Sequence, residues 1–163
     1  MGAIAMKKIL LRGFVVLLIL CGISSCTQND GNIGEWFGHW KLNTISVNGA
    51  VDDEYGGNIF FSFQSKTFCQ TMMYADHGAE HRFANWDNRD TYFIITFPFE
   101  TDDAGNPLYD ENGDLVCLYE PLEITRMSMG ENVVAVDYLN GNSLQLSMTD
   151  AAGDKVVYNL EKW

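Results

Sequence analysis

Two histidines lie four residues apart in the stretch Asp76-His77-Gly78-Ala79-Glu80-His81, the most metal-like cluster of the chain. Histidines at this spacing face one another on a helix, where they can ligate zinc together. The glycine and the strand-like flanks predict a turn between strands, on which that shared face is lost. We therefore expect a polar hairpin tip here and no metal site.

A second set of oxygen ligands lies in two acidic runs, Asp102-Asp103-Ala104-Gly105-Asn106 and Glu111-Asn112-Gly113-Asp114. Carboxylates and carbonyls of this kind bind calcium when a loop arranges them in the register of a helix-loop-helix site. That register is missing, and Asp and Asn are also the usual residues of turns. We expect solvated turns, with a small hairpin that closes at Asn112-Gly113.

Nucleophilic catalysis has no marked candidate in the sequence. The chain has no Gly-x-Ser-x-Gly motif, no cysteine with a histidine close by in sequence, and no glycine loop for a phosphate. Many carboxylates are present, but no pair is distinguished by its context. We predict a protein that is not an enzyme and has no cofactor.

Cys69 and Cys117 are the two cysteines outside the N-terminal region, and both lie in strand-like stretches. An exported protein could join them in a disulfide. Two buried free thiols are equally ordinary. The sequence gives no Cα separation, so both alternatives remain open.

The N-terminus has the features of an export signal. Lys7, Lys8 and Arg12 precede an apolar run at 14–20, which is shorter than the roughly 20 residues of a membrane span. We predict a cleaved signal over residues 1–25.

The end of that signal, Ile23-Ser24-Ser25-Cys26, resembles the lipobox of bacterial lipoproteins. The resemblance implies that Cys26 carries a lipid, that residues 26–33 form a tether, and that the protein is an outer-membrane lipoprotein of the cell envelope. Which face of the membrane carries it stays open. The alternative is a plain secretory signal with an incidental cysteine.

The chain is strongly acidic. Removing residues 1–25 removes three positive charges and no negative ones, so the formal net charge moves from −12 to −15. Such a domain is repelled by nucleic acid and by anionic membrane surfaces. We predict no nucleic-acid partner and membrane contact through the lipid alone, although surface acidity also serves solubility.

Residues 34–163 are predicted to form one all-β domain, because apolar residues recur with a period close to two and no stretch has sustained helical spacing. About eight to ten short strands of this kind form a sandwich or a closed barrel. The predicted strands after the Asn48-Gly49 turn are 59–64, 68–74, 81–86, 91–97, 115–119, 122–128, 134–138, 144–148 and 156–160.

The opening of this domain, Gly38-His39-Trp40-Lys41-Leu42 followed by Asn48-Gly49, resembles the lipocalins and especially the lipocalin-like lipoproteins of the Bacteroidetes. The resemblance implies an up-and-down antiparallel barrel with a short N-terminal helical turn. Gly38 and Trp40 would close one end, and the other end would be open. Lipocalins commonly stack an arginine of the last strand on that tryptophan; here only Lys155 and Lys162 are available.

The open end of such a barrel often holds a small apolar or amphipathic molecule. Aromatic and methionine side chains suit an adaptable pocket, and the same side chains could instead fill the barrel. The residues predicted to line this pocket are Phe61, Phe63, Met72, Tyr74, Phe83, Tyr92, Ile94 and Tyr158.

Residues 91–99 are apolar on both strand faces, so one face needs cover from elsewhere in the chain or from a protein partner. Two hypotheses follow. The first is a lipid-anchored barrel that binds a small molecule inside. The second is a protein-interaction or inhibitor module that acts through its outer surface and has a filled core.

Overall fold

The structure is a computed structural model that describes residues 34–89 and 91–163; the predicted signal and the whole predicted tether, which includes Cys26, lie outside them. The described residues form nine strands and one 3-10 helix. The strands are β1 Gly38–Val47, β2 Ala50–Val51, β3 Ile59–Gln64, β4 Thr67–Met73, β5 Ala79–Asn88, β6 Tyr92–Phe97, β7 Gly130–Leu139, β8 Ser143–Thr149 and β9 Lys155–Lys162.

Each strand pairs antiparallel with its neighbour, and β9 pairs with β1 to close the sheet. Strands β1 and β3 to β9 therefore form an eight-stranded up-and-down barrel, and the two-residue β2 adds an edge to β1. The predicted all-β barrel is confirmed. No helix among the described residues combines the length and apolar character needed to span a membrane.

Tight turns set the register between neighbouring strands. Asn48 and Gly49 both have positive φ, 50° and 86°, as the turn with an Asn-Gly preference requires. Asp102, Asp110 and Asp150 each begin one recurring five-residue turn, in which a carboxylate oxygen accepts the backbone N–H two and four residues later. The predicted hairpin at Asn112-Gly113 closes through the second of these turns.

The strands predicted at 115–119 and 122–128 are wrong. Residues 98–121 form an extended arm held by isolated bridges and two of those turns. The chain then turns through the 3-10 helix Glu123–Thr125, where the Thr125 hydroxyl donates to the Leu122 carbonyl over 2.6 Å. The alternation at 122–128 resembles a strand, but the segment turns through this short helix and buries Leu122, Thr125 and Met127 without pairing with the barrel wall.

The barrel has two distinct ends. The base is the end at Trp40, beside the turn at Gly34–Phe37, and the mouth is the opposite end, where the β8–β9 turn lies. The core between them consists of inward-facing side chains with no exposed surface. These are Trp40, Leu42, Ile45, Ile59, Phe61, Phe63, Phe68, Phe93, Ile95, Phe97, Val134, Leu146, Val156 and Tyr158.

Candidate functional site

Trp40 lies at the base of the barrel and is fully buried. Its indole N–H donates to the Trp36 carbonyl over 2.9 Å, which ties the N-terminal turn beneath the sheet. The Lys162 ammonium lies 4.3 Å from the centroid of the Trp40 ring and also donates to the Phe37 carbonyl. A lysine thus occupies the stacking position for which lipocalins commonly use an arginine, and its burial lowers the pKa of Lys162.

Gly38 is adapted to this arrangement by its conformation. Its φ of +116° is one that side-chain-bearing residues rarely adopt, and a Cβ there would lie 3.3 Å from the Lys162 ammonium. The glycine therefore lets the lysine approach the base.

Three of the side chains predicted to line the ligand pocket are packed in the core. Phe61, Phe63 and Tyr158 have no exposed surface, whereas a void that holds a water molecule would give its lining side chains accessible area. Phe61 also packs edge-on against Tyr158, with ring centroids 5.6 Å apart. Of the two alternatives for these three residues, the filled core is the one observed.

Residues 122–127, which we call the plug, occupy the mouth. Fully buried Gln70, on the inner face of β4, makes three contacts with them. Its carbonyl oxygen accepts the Leu122 N–H over 2.8 Å, and its amide donates to Thr125 Oγ1 over 3.0 Å and to Met127 Sδ over 3.2 Å.

Two further contacts hold the plug to the barrel wall. The Tyr158 hydroxyl donates to the Thr125 carbonyl over 2.5 Å. Arg126 donates to the Asp150 carboxylate over 3.1 Å, in the β8–β9 turn. The end of the barrel that the resemblance left open is therefore filled by the chain itself.

The other five predicted lining residues do not form a pocket with these three. Met72 faces inward and packs partly buried against the core, and Tyr74 lies exposed beyond β4, where its hydroxyl donates to Glu80 over 2.5 Å. Phe83, Tyr92 and Ile94 lie on the outer face, so their prediction as lining residues is wrong.

Strand register explains the error. On β6 the buried residues are Phe93, Ile95 and Phe97, which alternate with Tyr92 and Ile94. Both sets are apolar, so the sequence could not tell which one faces inward. In the outer set, Tyr92 is exposed and Ile94 is half-buried. The partner surface predicted at residues 91–99 stays a prediction.

The outer face of β1, β3, β4 and β5 carries a depression that sequence reasoning missed. It consists of two adjoining parts of about 220 and 300 Å³, and both parts are lined by His39, Thr71 and His81. We call it the outer trough. Its remaining lining residues are Phe60, Ser62, Gln64, Thr67, Cys69, Met73, Phe83 and Trp163.

Strand pairing assembles the trough from residues that are far apart in sequence. His39 pairs with Ser62, Ser62 with Cys69, and Cys69 with Phe83, so these residues form one row across four strands. Ser62 and Cys69 are buried at 5% and 8% exposure and form the floor. The alternation in β3 predicts that Ser62 lies on the face opposite Phe61 and Phe63. Only the pairing register of the strands places it beside His39 and Cys69.

Both histidines are oriented by hydroxyl groups. His39 Nδ1 lies 2.7 Å from Ser62 Oγ, and His81 Nδ1 lies 3.0 Å from Thr71 Oγ1. His81 Nδ1 is also 3.9 Å from the Cys69 sulfur. The fold therefore brings together a cysteine and a histidine that are 12 residues apart in sequence.

Cys69 and Cys117 are free thiols in the structure, so the predicted disulfide alternative is not the one observed. Cys69 lies on the trough floor, whereas the Cys117 thiol donates to the Pro98 and Tyr119 carbonyls of the arm. Burial raises the pKa of both thiols. This favours the protonated form, which is a poor nucleophile.

The two histidines of the metal-like cluster have different surroundings. His77 lies in the turn after β4 with a φ of 67°, and His81 lies on β5 in the trough. Within residues 34–89 and 91–163, no group of three or more His, Cys, Asp or Glu side chains is placed to hold a metal ion.

Comparison with solved structures supports the fold. A lipocalin-like protein from Bacteroides uniformis is 20% identical, with a TM-score of 0.53, and the match covers 80% of this chain and 100% of that one. An uncharacterized protein from Bacteroides eggerthii is 18% identical, with a TM-score of 0.54, over 78% and 99% of the two chains. No protein-family model and no curated protein matches the chain. The chain therefore has a lipocalin-like fold.

Proposed function

We propose that this protein is a lipid-anchored, non-catalytic binding protein of the cell envelope that acts through the outside of a filled lipocalin-like barrel. The main support for this proposal is the packing of the barrel interior. Phe61, Phe63 and Tyr158 have no exposed surface, and the plug fills the mouth. A ligand that entered would have to displace both the plug and part of the core.

The outer trough is the surface through which we expect binding. Its floor is sheltered, and its lining combines aromatic rings with a few polar side chains, which is the usual composition of a ligand site. The chemistry for catalysis is weak there, because burial raises the pKa of the Cys69 thiol. Binding without turnover fits this arrangement best.

The lipid anchor is tested by membrane fractionation and lipid labelling of the full chain. We expect wild-type protein in the membrane fraction with covalent lipid, and Cys26→Ser protein without lipid. Cys21→Ser is the matched control, since Cys21 lies in the predicted signal and should leave labelling unchanged. Unlabelled wild-type protein, or labelled Cys26→Ser protein, would refute the anchor.

The binding surface is tested with the chain from Thr27 to Trp163, which contains the whole barrel and its core. The protein is incubated with extract of the cells that make it and examined by native mass spectrometry. We expect an added mass that Phe83→Ala removes and that Tyr109→Ala, an exposed aromatic on the arm, leaves in place. An added mass that is insensitive to Phe83→Ala would place binding elsewhere.

A further inference from the structure

We propose, on the basis of the proposed function, that the outer trough binds a planar aromatic molecule that carries a hydrogen-bond acceptor oxygen. Aromatic side chains lie in both parts of the trough. In one, Phe83 stacks near-parallel with His81, at 25° and 6.1 Å between centroids. In the other, Phe60 meets Trp163 edge-on at 5.2 Å. A flat ring system can stack offset or edge-on against such side chains, as aromatic pairs prefer.

The two histidines supply the hydrogen bonds. Each uses Nδ1 for a hydroxyl of the strand beside it, so the ring orientation is fixed before a ligand arrives. Across the described residues, Nε2 of His39 and Nε2 of His81 have no hydrogen-bond partner within the protein. An imidazole that bears its proton on Nε2 donates to an acceptor oxygen, and the protonated ring donates from both nitrogens.

Charge distinguishes the trough from the other depressions of the domain. None of its lining residues is acidic, although the chain has a net charge of −12. The depressions beside the plug, beneath the arm and beside Trp86 each include at least two acidic side chains. A cation therefore finds no carboxylate in the trough, whereas an acceptor oxygen meets no local repulsion.

The test is isothermal titration of the chain from Thr27 with 2-naphthoate, a flat aromatic acid, and with cyclohexanecarboxylate, which has the same acid group on a puckered saturated ring. We expect 2-naphthoate to bind at least about tenfold more tightly. His81→Phe keeps the ring but loses Nε2, and Phe83→Ala loses the stacking wall. Each should weaken binding about tenfold, which corresponds to about 1.4 kcal/mol.

Tyr109→Ala removes an exposed aromatic that is not among the trough lining residues and should leave the affinity within about twofold. Equal binding of the two acids, or no binding of 2-naphthoate, would overturn the inference. The proposed function would survive that result if the extract-derived mass still depended on Phe83. Binding that tolerates both trough variants but is lost in Phe61→Leu would place the ligand inside the barrel and overturn both.

Discussion

Replacing Gln70 with leucine tests whether the plug is fixed in the mouth. Leucine keeps most of the side-chain volume, so the change removes hydrogen bonds without leaving a large cavity. The bond to Thr125 is worth about 0.5–1.5 kcal/mol, and a buried Leu122 N–H left without its acceptor costs about 1–3 kcal/mol. Part of this loss is offset by the apolar leucine in a buried site. We expect a net loss of about 2–4 kcal/mol in the free energy of unfolding.

Equilibrium denaturation in urea measures this loss, and hydrogen exchange of the Leu122 and Thr125 amides reports the plug locally. Both amides should exchange faster in Gln70→Leu, because Leu122 loses its acceptor and the 3-10 turn loses its anchor. Gln64→Leu is the matched control, since Gln64 is exposed at the end of β3. It should change stability by no more than about 0.5 kcal/mol.

If Gln70→Leu is as stable as the control and exchange at Leu122 is unchanged, Gln70 does not fix the plug in the mouth. The plug would then be a loosely placed loop, and the barrel mouth would be accessible to a ligand. A filled barrel requires the opposite result, a less stable Gln70→Leu protein with faster exchange at Leu122.

Three further predictions concern the core, the base and the thiols. Tyr158→Phe should lower the free energy of unfolding by about 1–2 kcal/mol at neutral pH, because it removes the hydroxyl that donates to the Thr125 carbonyl. Burial raises the pKa of Tyr158 in the folded state, so the unfolded state loses its proton first as pH rises above about 10. Wild-type stability should therefore fall with pH in that range, and the variant's stability should fall less steeply. Lys162→Ala should lower the free energy of unfolding by about 1 kcal/mol, because it removes the cation–π contact with Trp40 at the base. Lys155→Ala is the control and should change stability little. Thermal denaturation of both variants measures the difference. A thiol titration of the unfolded chain from Thr27 should count two free thiols. In the native protein, the less buried Cys117 should react faster than Cys69. If neither thiol reacts in the unfolded chain without reductant, the two cysteines form a disulfide.

The strands were predictable where local pattern decides structure. The alternation in β7, β8 and β9 and the Asn48-Gly49 turn gave the meander and the first hairpin, because a period of two fixes which residues share a face. The pattern fails when both faces are apolar. On β6, Ile94 and Ile95 are the same residue and Tyr92 and Phe93 are both aromatic, so the pairing register with β7 decides which of them face inward.

The plug and the trough were beyond sequence reasoning for a different reason. Gln70 lies 52 residues from Leu122, and His39 lies 23 residues from Ser62, so only the closed barrel brings the members of each pair together. A buried glutamine within an apolar strand is a signal for a polar partner, because an unpaired amide in a core is costly. The sequence does not name that partner.

Methyl NMR of the chain from Thr27 can show whether ligands bind outside a filled barrel. The labelled protein is mixed with extract of the cells that make it, and shifts are compared between two groups of methyls. We expect shifts at Thr71 and Met73, which line the trough, and none at Leu146 and Val156 of the core. Shifts at Leu146 and Val156 instead would mean that the barrel opens and binds inside, and no shift in either group would contradict a binding role.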